Sequence, residues 1–377
     1  MDYRKHFAEF DDVTYLDAAT QGPLPLASAR AAKEALEWKK LPHRIPDTAY
    51  FELPDRVRAA IASIIHADPD DVALTTGASA GFAAVAAGIE WKLGDEILVA
   101  RGEFPAHFAT WQPYERAGKV KLRVIDPADR FICADDYIAN ITPAMRLVTA
   151  SFVRFDNGAQ LDARRVADSC HAAGALFLLD ASQCAGALPI DVNALGADFV
   201  VSSGYKWLLG PYGTGFFWAR RDWSDRLPTG PVYWQSLEGA NKFHGLPLDG
   251  LRVRPGARRW DTPETANFTN HAAFEASLKL IASVGAENIY THAAELTQVV
   301  IERLPMDRCV LASPRERERR GQFVCVAARA AEKTVELHQK LKTEKIVVCL
   351  REGVLRISPH IYNTERDILR LISVLSV

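Results

Sequence analysis

The sequence predicts an α/β protein with a mostly parallel central sheet in a large domain and a smaller α+β C-terminal domain. Three observations carry this. Between about residues 70 and 220, short apolar runs alternate with longer Ala-rich stretches. From 221 to 260 the pattern breaks into Pro, Gly and Trp. Beyond it come two long helical runs, then strands and helices in mixed order. With 377 residues, 48% of them hydrophobic, the chain can fill two cores without disulfide or metal staples.

Taken in order, the apolar runs are Val72–Thr76, Glu96–Arg101, Val120–Ile125, Arg146–Phe152, Ala175–Asp180 and Asp198–Ser202. Between them, GASAGFAAVAAGIEW and LDARRVADSCHAAG have the apolar spacing of helices packed on a sheet. Buried strands alternating with helices make a parallel sheet covered on both faces. Ligands of such sheets bind outside the carboxyl ends of the strands. After residue 260, NHAAFEASLKLIASVG and 287–304 read as helices. A strand is expected at 322–328, a helix at 331–342, strands at 346–350 and 354–358, and a terminal helix capped by Thr364 and Asp367. The mixed-sign run RERERR at 315–320 reads as a solvated turn. The resulting division gives 15–255 to the large domain and 1–14 with 256–377 to the small one.

Composition excludes several partners. Lys plus Arg is 45 and Asp plus Glu is 47, so no global field draws the chain to nucleic acid. No apolar run has the length of a membrane span, and MDYRKHFAEF offers no signal-peptide core. A cytoplasmic location follows as the expectation. The six cysteines form no CxxC and no metal-ligand spacing, so no metal is expected and the thiols read as reduced and buried.

The unusual residues lie where strands end. Asp180 closes the apolar run of LFLLDASQ, and 26 residues later Lys206 follows another buried run in SSGYKWLLGPYGTGF. An acid and a lysine delivered by neighbouring strand ends meet the needs of pyridoxal 5′-phosphate (PLP). The lysine amine forms a Schiff base, and the carboxylate keeps the pyridine nitrogen protonated so that the ring accepts electrons from a substrate Cα. The phosphate has a candidate cradle in TTGASAGF, where backbone N–H groups of Gly77, Ala78 and Ser79 open a helix. Phe104 in EFPAHF offers an apolar face for the ring. Arg356 in LRISPHIYNT offers a guanidinium fork to a substrate carboxylate.

Together these segments resemble the class V aminotransferase family. The resemblance runs in order through LDxAxxGPxP at 16–25, the turn at 75–79, GDEILV with EFP at 94–105, SFVxFxxG at 151–158, DASQ at 180–183, SxGYK with GPYGTG at 202–215, and RxSPHxYNT at 356–364. The family comprises PLP enzymes of fold type I, among them cysteine desulfurases, kynureninase-like hydrolases and isopenicillin N epimerase-like proteins.

The resemblance implies roles residue by residue. Lys206 becomes the Schiff-base lysine, Asp180 the partner of the pyridine nitrogen and Gln183 the partner of the phenolic oxygen. Ala78, Ser79 and Ser203, with Tyr205 beside the lysine, take the phosphate. Phe104 stacks on the ring and Arg356 takes the α-carboxylate of a small amino-acid substrate. The departures are equally informative. Arg154 stands where many members carry Asn, and a contact to substrate or cofactor is one option for it. His107 replaces a more usual polar amide. Cys349 lies inside a strand-like run rather than on the loop that carries a desulfurase nucleophile. For the phosphate contact that some relatives receive from a neighbouring subunit, the resemblance leaves Thr262, Thr265 or neither. The resemblance also implies a homodimer. Aminotransfer is the leading expectation. Epimerisation, cysteine-lyase β-elimination and a non-catalytic PLP-binding homologue are the alternatives.

Overall fold

The computed structural model describes residues 3–224, 233–242, 250–264 and 267–377. Strand β1 (Thr14–Tyr15) precedes a seven-stranded sheet of β2 (Val72–Thr75), β3 (Asp95–Ala100), β4 (Val120–Ile125), β5 (Met145–Ser151), β6 (Leu176–Asp180), β7 (Phe199–Ser203) and β8 (Gly215–Ala219). The spatial order is β2-β8-β7-β6-β5-β3-β4. All neighbours from β7 to β4 pair in parallel, whereas β8 runs antiparallel to both β2 and β7. The six predicted strands fall within one residue of their expected ends. Sequence spacing assigns no strand to Gly215–Ala219, because its five residues directly follow a Gly- and Pro-rich turn. The structure uses them as the return arm of a hairpin.

Every residue of β6 and β7 is buried, as strands covered on both faces require. Leu176 and Leu178 pack on one face with Phe82 and Val85 of the helix Ala78–Gly88. Phe177 and Leu179 pack on the other with Val166 and Cys170 of the helix Ala163–Ala172. The period-two alternation of side chains thus divides between two helical layers.

A second sheet of β9 (Cys309–Leu311), β10 (Val324–Ala328), β12 (Cys349–Arg351) and β13 (Val354–Ile357) is antiparallel in the order β12-β13-β10-β9. The expected strand at 346–350 divides in two. Its first half, β11 (Ile346–Val347), pairs in parallel with β1, and Cys349–Arg351 joins the small sheet. The terminal helix Glu365–Leu375 opens on the reciprocal Thr364–Asp367 capping box read from the sequence. The run at 315–320 needs one correction. Arg315 to Arg319 are exposed, but Arg320 is buried, giving its guanidinium to the carbonyl of Arg315 (2.6 Å) and to Gln298 Oε1 (3.2 Å).

The chain after the Trp-rich connection is pinned to the sheet edge by a buried ion pair. Arg58, 1% exposed, meets Asp261 in a two-pronged contact at 3.0 and 2.7 Å. Asp261 also accepts from the amide of Leu74, and the amide of Thr262 donates to the Leu74 carbonyl. Asp261→Ala leaves a buried guanidinium uncompensated, so a loss of about 3–5 kcal/mol is expected, read as a lowered urea midpoint. Among the described residues no helix is long and apolar enough to cross a membrane. Nor does any group of three His, Cys, Asp or Glu among them suit a metal ion.

Candidate active site

The carboxyl ends of β6 and β7 and the start of the helix Ala78–Gly88 meet at one cavity. Ala78, Ser79, Phe104, Asp180, Gln183, Ser203, Tyr205 and Lys206 line it, with Ser151, Val153, Phe155 and Ser182 among their neighbours. Eight sequence-predicted residues thus share one wall. Gly77, the ninth, caps the helix.

Strand β6 brings Asp180 out directly opposite Ser151 of β5. Its Oδ1 accepts from the amide of Ser182 at 2.8 Å, and Nε2 of His107 stands 3.6 Å from Oδ2. Burial alone would raise this carboxyl, but His107 and Ser182 outweigh it and hold it below the usual carboxylate range. The acid is therefore ionised where a protonated pyridine needs it.

Lys206 sits in the turn that joins β7 to β8. The turn is closed by the amide of Gly204 donating to Thr214 O and that of Gly210 donating to Gly204 O, both at 2.8 Å. Burial pushes the ammonium down to about 8, against the pull of Asp180, and the charges of Arg356 and Arg351 add to the fall. Its Nζ lies 5.3 Å from the centre of the Phe104 ring. Phe104 meets Phe155 edge-on at 5.4 Å.

Gly77 has φ +149° and no side-chain cap follows it, so the first amides of the 11-residue helix keep their donors for an anion. The space behind Gly77 is closed: a Cβ on Gly215 would lie 2.7 Å from Gly77 Cα. Ser203 bridges the strands, its amide donating to Ser182 Oγ at 3.1 Å. Tyr205 stacks on the exposed Tyr212 with ring centres 4.0 Å apart. Gln183 gives one amide hydrogen to Ala19 O and accepts from Trp207 Nε1, which leaves its second amide hydrogen for the cavity.

Arg356 and Arg154 do not line the cavity. Arg356, on β13, is buried, and it donates to Phe155 O at 3.1 Å and Thr20 Oγ1 at 2.5 Å. Its Nε has no hydrogen-bond partner, and its charge is felt at Lys206. Arg154 turns away from the place a substrate ligand requires. Its guanidinium is taken by Asp156 (3.0 and 2.8 Å), Gly102 O (2.7 Å) and Glu103 (3.3 Å). Cys349 is half-buried rather than buried, because β12 is an edge strand, and it faces Arg356 across the ladder. The amide of Thr262 donates to Leu74 O, and Thr265 lies outside the described residues.

Sequence reasoning gave no role to Ala106, Ser151, Val153, Phe155 and Ser182 of this lining, and two of these shape the site. Ser182 ties Asp180 to β7, and its signal was its place inside DASQ. Phe155 braces Phe104 and offers its carbonyl to Arg356, and its signal was the aromatic inside SFVxFxxG.

The N-terminal segment buttresses the lysine turn. The amide of Gly22 donates to Tyr205 O at 2.9 Å, and a Cβ on Gly22 would fall 2.1 Å from Lys206 O. Gly22→Ala must displace the turn that carries the lysine. The expected cost is about 1–3 kcal/mol, with cofactor lost on dialysis where wild type retains it.

The donor set suits a planar phosphorylated pyridine: an anion cradle, an ionised acid, an aromatic plate and a buried lysine with lowered proton affinity. Comparison with known proteins agrees. Residues 14–371 match the aminotransferase class-V family, and the chain belongs to it. The enzymes of this family use PLP. The chain is 26% identical to an uncharacterized aminotransferase of Bacillus subtilis, YcbU, over 97% of this chain and 94% of the relative. It is 28% identical to isopenicillin N epimerase of Streptomyces clavuligerus over 95% and 93%. Its fold matches a lysine-to-alanine mutant of C-DES with glycine covalently linked to PLP. The TM-score is 0.90 at 21% identity, over 100% of this chain and 99% of the other.

Proposed function

We propose that the protein is a PLP-dependent aminotransferase acting at the Cα of a small amino acid. The observation that carries this is the single base of the cavity. Among the described lining residues only Asp180, Tyr205 and Lys206 are titratable in water, and Asp180 is held ionised. Epimerisation calls for a second acid or base besides Lys206, and apart from Asp180 and Tyr205 the other lining residues carry none. A desulfurase calls for a thiol at the substrate, and no cysteine lines the cavity.

When bound, PLP supplies an electron sink for the pair left at Cα. Ala78, Ser79 and Ser203 would hold its phosphate, Phe104 its face and Gln183 its phenolic oxygen. Asp180 would keep the proton on its ring nitrogen. Lys206 Nζ would take the proton from Cα and deliver it to the cofactor's C4′ carbon, its affinity lowered by burial toward the working range of a general base. Arg356 fixes the substrate carboxylate and with it the direction of the Cα–H bond. The same reading carries a homodimer and a cytoplasmic location.

The test incubates the holoenzyme with an amino-acid panel, with and without a 2-oxo acid acceptor. A keto acid formed from the donor only when the acceptor is present supports aminotransfer. A D-amino acid, or sulfide or ammonia released without an acceptor, overturns it.

A further inference from the structure

Asp180 is the first of four ionisable side chains in successive contact with almost no solvent. Side-chain exposure is 7% for Asp180, 0% for His107, 0% for Glu103 and 5% for Arg154. Nε2 of His107 lies between the two carboxylates, 3.6 Å from Asp180 Oδ2 and 3.8 Å from Glu103 Oε2. Burying two like charges this close is costly unless each is neutralised and hydrogen-bonded.

The hydrogen bonds show how the imidazole is shared. Glu103 is served without it: Ser151 Oγ donates to Oε2 at 2.6 Å and the Ser151 amide to Oε1 at 2.9 Å. Tyr137 OH reaches Oε1 at 3.4 Å, and Arg154 supplies the positive charge at 3.3 Å. Nε2 of His107 stands 3.5 Å from Ser151 Oγ and 3.6 Å from Asp180 Oδ2, so it is the charged group that Asp180 Oδ2 meets on this side. The ring cannot swing away, because Nδ1 is bonded to Thr149 Oγ1 at 2.8 Å and the face of the ring meets Phe82 edge-on at 4.7 Å. Thr149 and Ser151 lie two apart on β5 and so share a face of the strand next to Asp180.

We propose that His107 is a positioning residue that holds Asp180 toward the cofactor's ring nitrogen, and that Arg154, by neutralising Glu103, keeps the imidazole committed to Asp180. Arg154 then acts on the cofactor through two intermediaries and not on the substrate. The remaining charged groups facing this chain are Asp156, which shares Arg154, and Lys206 across the cavity. The proposal rests on Asp180 being the partner of the ring nitrogen, and the experiment separates the two ideas.

The experiment uses the holoenzyme and measures cofactor affinity and the pH midpoint of the bound cofactor's visible absorbance band. The variants are His107→Leu, His107→Gln, Arg154→Gln and the His107→Leu/Arg154→Gln pair, with Asp180→Asn as reference. His107→Leu removes the charged group 3.6 Å from Asp180 Oδ2 and is expected to weaken cofactor binding about tenfold and to move the midpoint. His107→Gln keeps a donor and should recover most of both. Arg154→Gln should move the midpoint in the wild-type background, add nothing in His107→Leu, and leave the affinity for the amino donor unchanged. Additive effects of the two substitutions, or a raised KM for the donor with an unmoved midpoint, overturn the proposal. A midpoint unmoved in Asp180→Asn shows instead that Asp180 is not the ring's partner. Should His107→Leu not fold, an unmoved midpoint in the Arg154→Gln protein is itself decisive against the chain.

Discussion

Lys206→Ala is expected to abolish keto acid formation and to remove the visible band of the bound cofactor. The loss of the base alone accounts for about 10²–10⁴-fold in rate. No other amine lines the cavity among the described residues, so none can take its place. A variant that keeps the band moves the Schiff-base assignment elsewhere. A second signature appears without cofactor. The fold holds this amine at about 8, against about 10.4 in an unfolded chain. Between those values the unfolded state binds more protons, so stability rises with pH across that window, by roughly 3 kcal/mol. Lys206→Met should erase the rise in urea midpoints measured from pH 8 to 10.5 and leave the slope below pH 8 unaltered.

Asp180→Asn tests the electrostatic half of the site. The amide is nearly isosteric, and its carbonyl still accepts from the Ser182 amide that now meets Oδ1 at 2.8 Å. The fold should therefore survive, with an unchanged circular dichroism spectrum. What disappears is the fixed negative charge that, on the proposed reading, would hold a proton on the ring nitrogen. Turnover should fall on the order of 10²–10³-fold. The pH midpoint of the cofactor band should also shift, with the affinity for the amino donor unchanged if Arg356 takes its carboxylate as proposed. A variant with wild-type turnover would leave the ring nitrogen without need of this acid.

Much of this was legible because the buried strands write their identity into consecutive apolar residues. LFLLD and DFVVS announce both the strand and its end, and the chemistry sits on those ends. The hairpin arm at Gly215–Ala219 escaped because a strand's run of five residues after a glycine turn carries no period of its own. The split of 346–350 escaped for a related reason. Two residues pair with Thr14–Tyr15, a partner more than 300 positions away that local pattern cannot reveal. Arg154 shows the limit most clearly. A lone arginine in a site motif invites a ligand, and only the positions of Glu103 and Asp156 show that its charge is already spent.

The long reach of the first strand also orders events in time. The amide of Ser358 donates to Leu16 O at 2.8 Å, that of Ala18 to Ser358 O at 3.1 Å, and that of Gly22 to Tyr205 O at 2.9 Å. Residues 14–18 are made well before their partners on β11 and at Ser358. At about 5–20 residues per second, roughly 20–70 s separates the two. Over that interval the central sheet can assemble while the lysine turn lacks part of its buttress and Arg356 is not yet synthesised. If Arg356 takes the substrate carboxylate as proposed, the site is completed only after the central sheet has been made. A nascent chain stalled before residue 346 should carry its sheet but no cofactor.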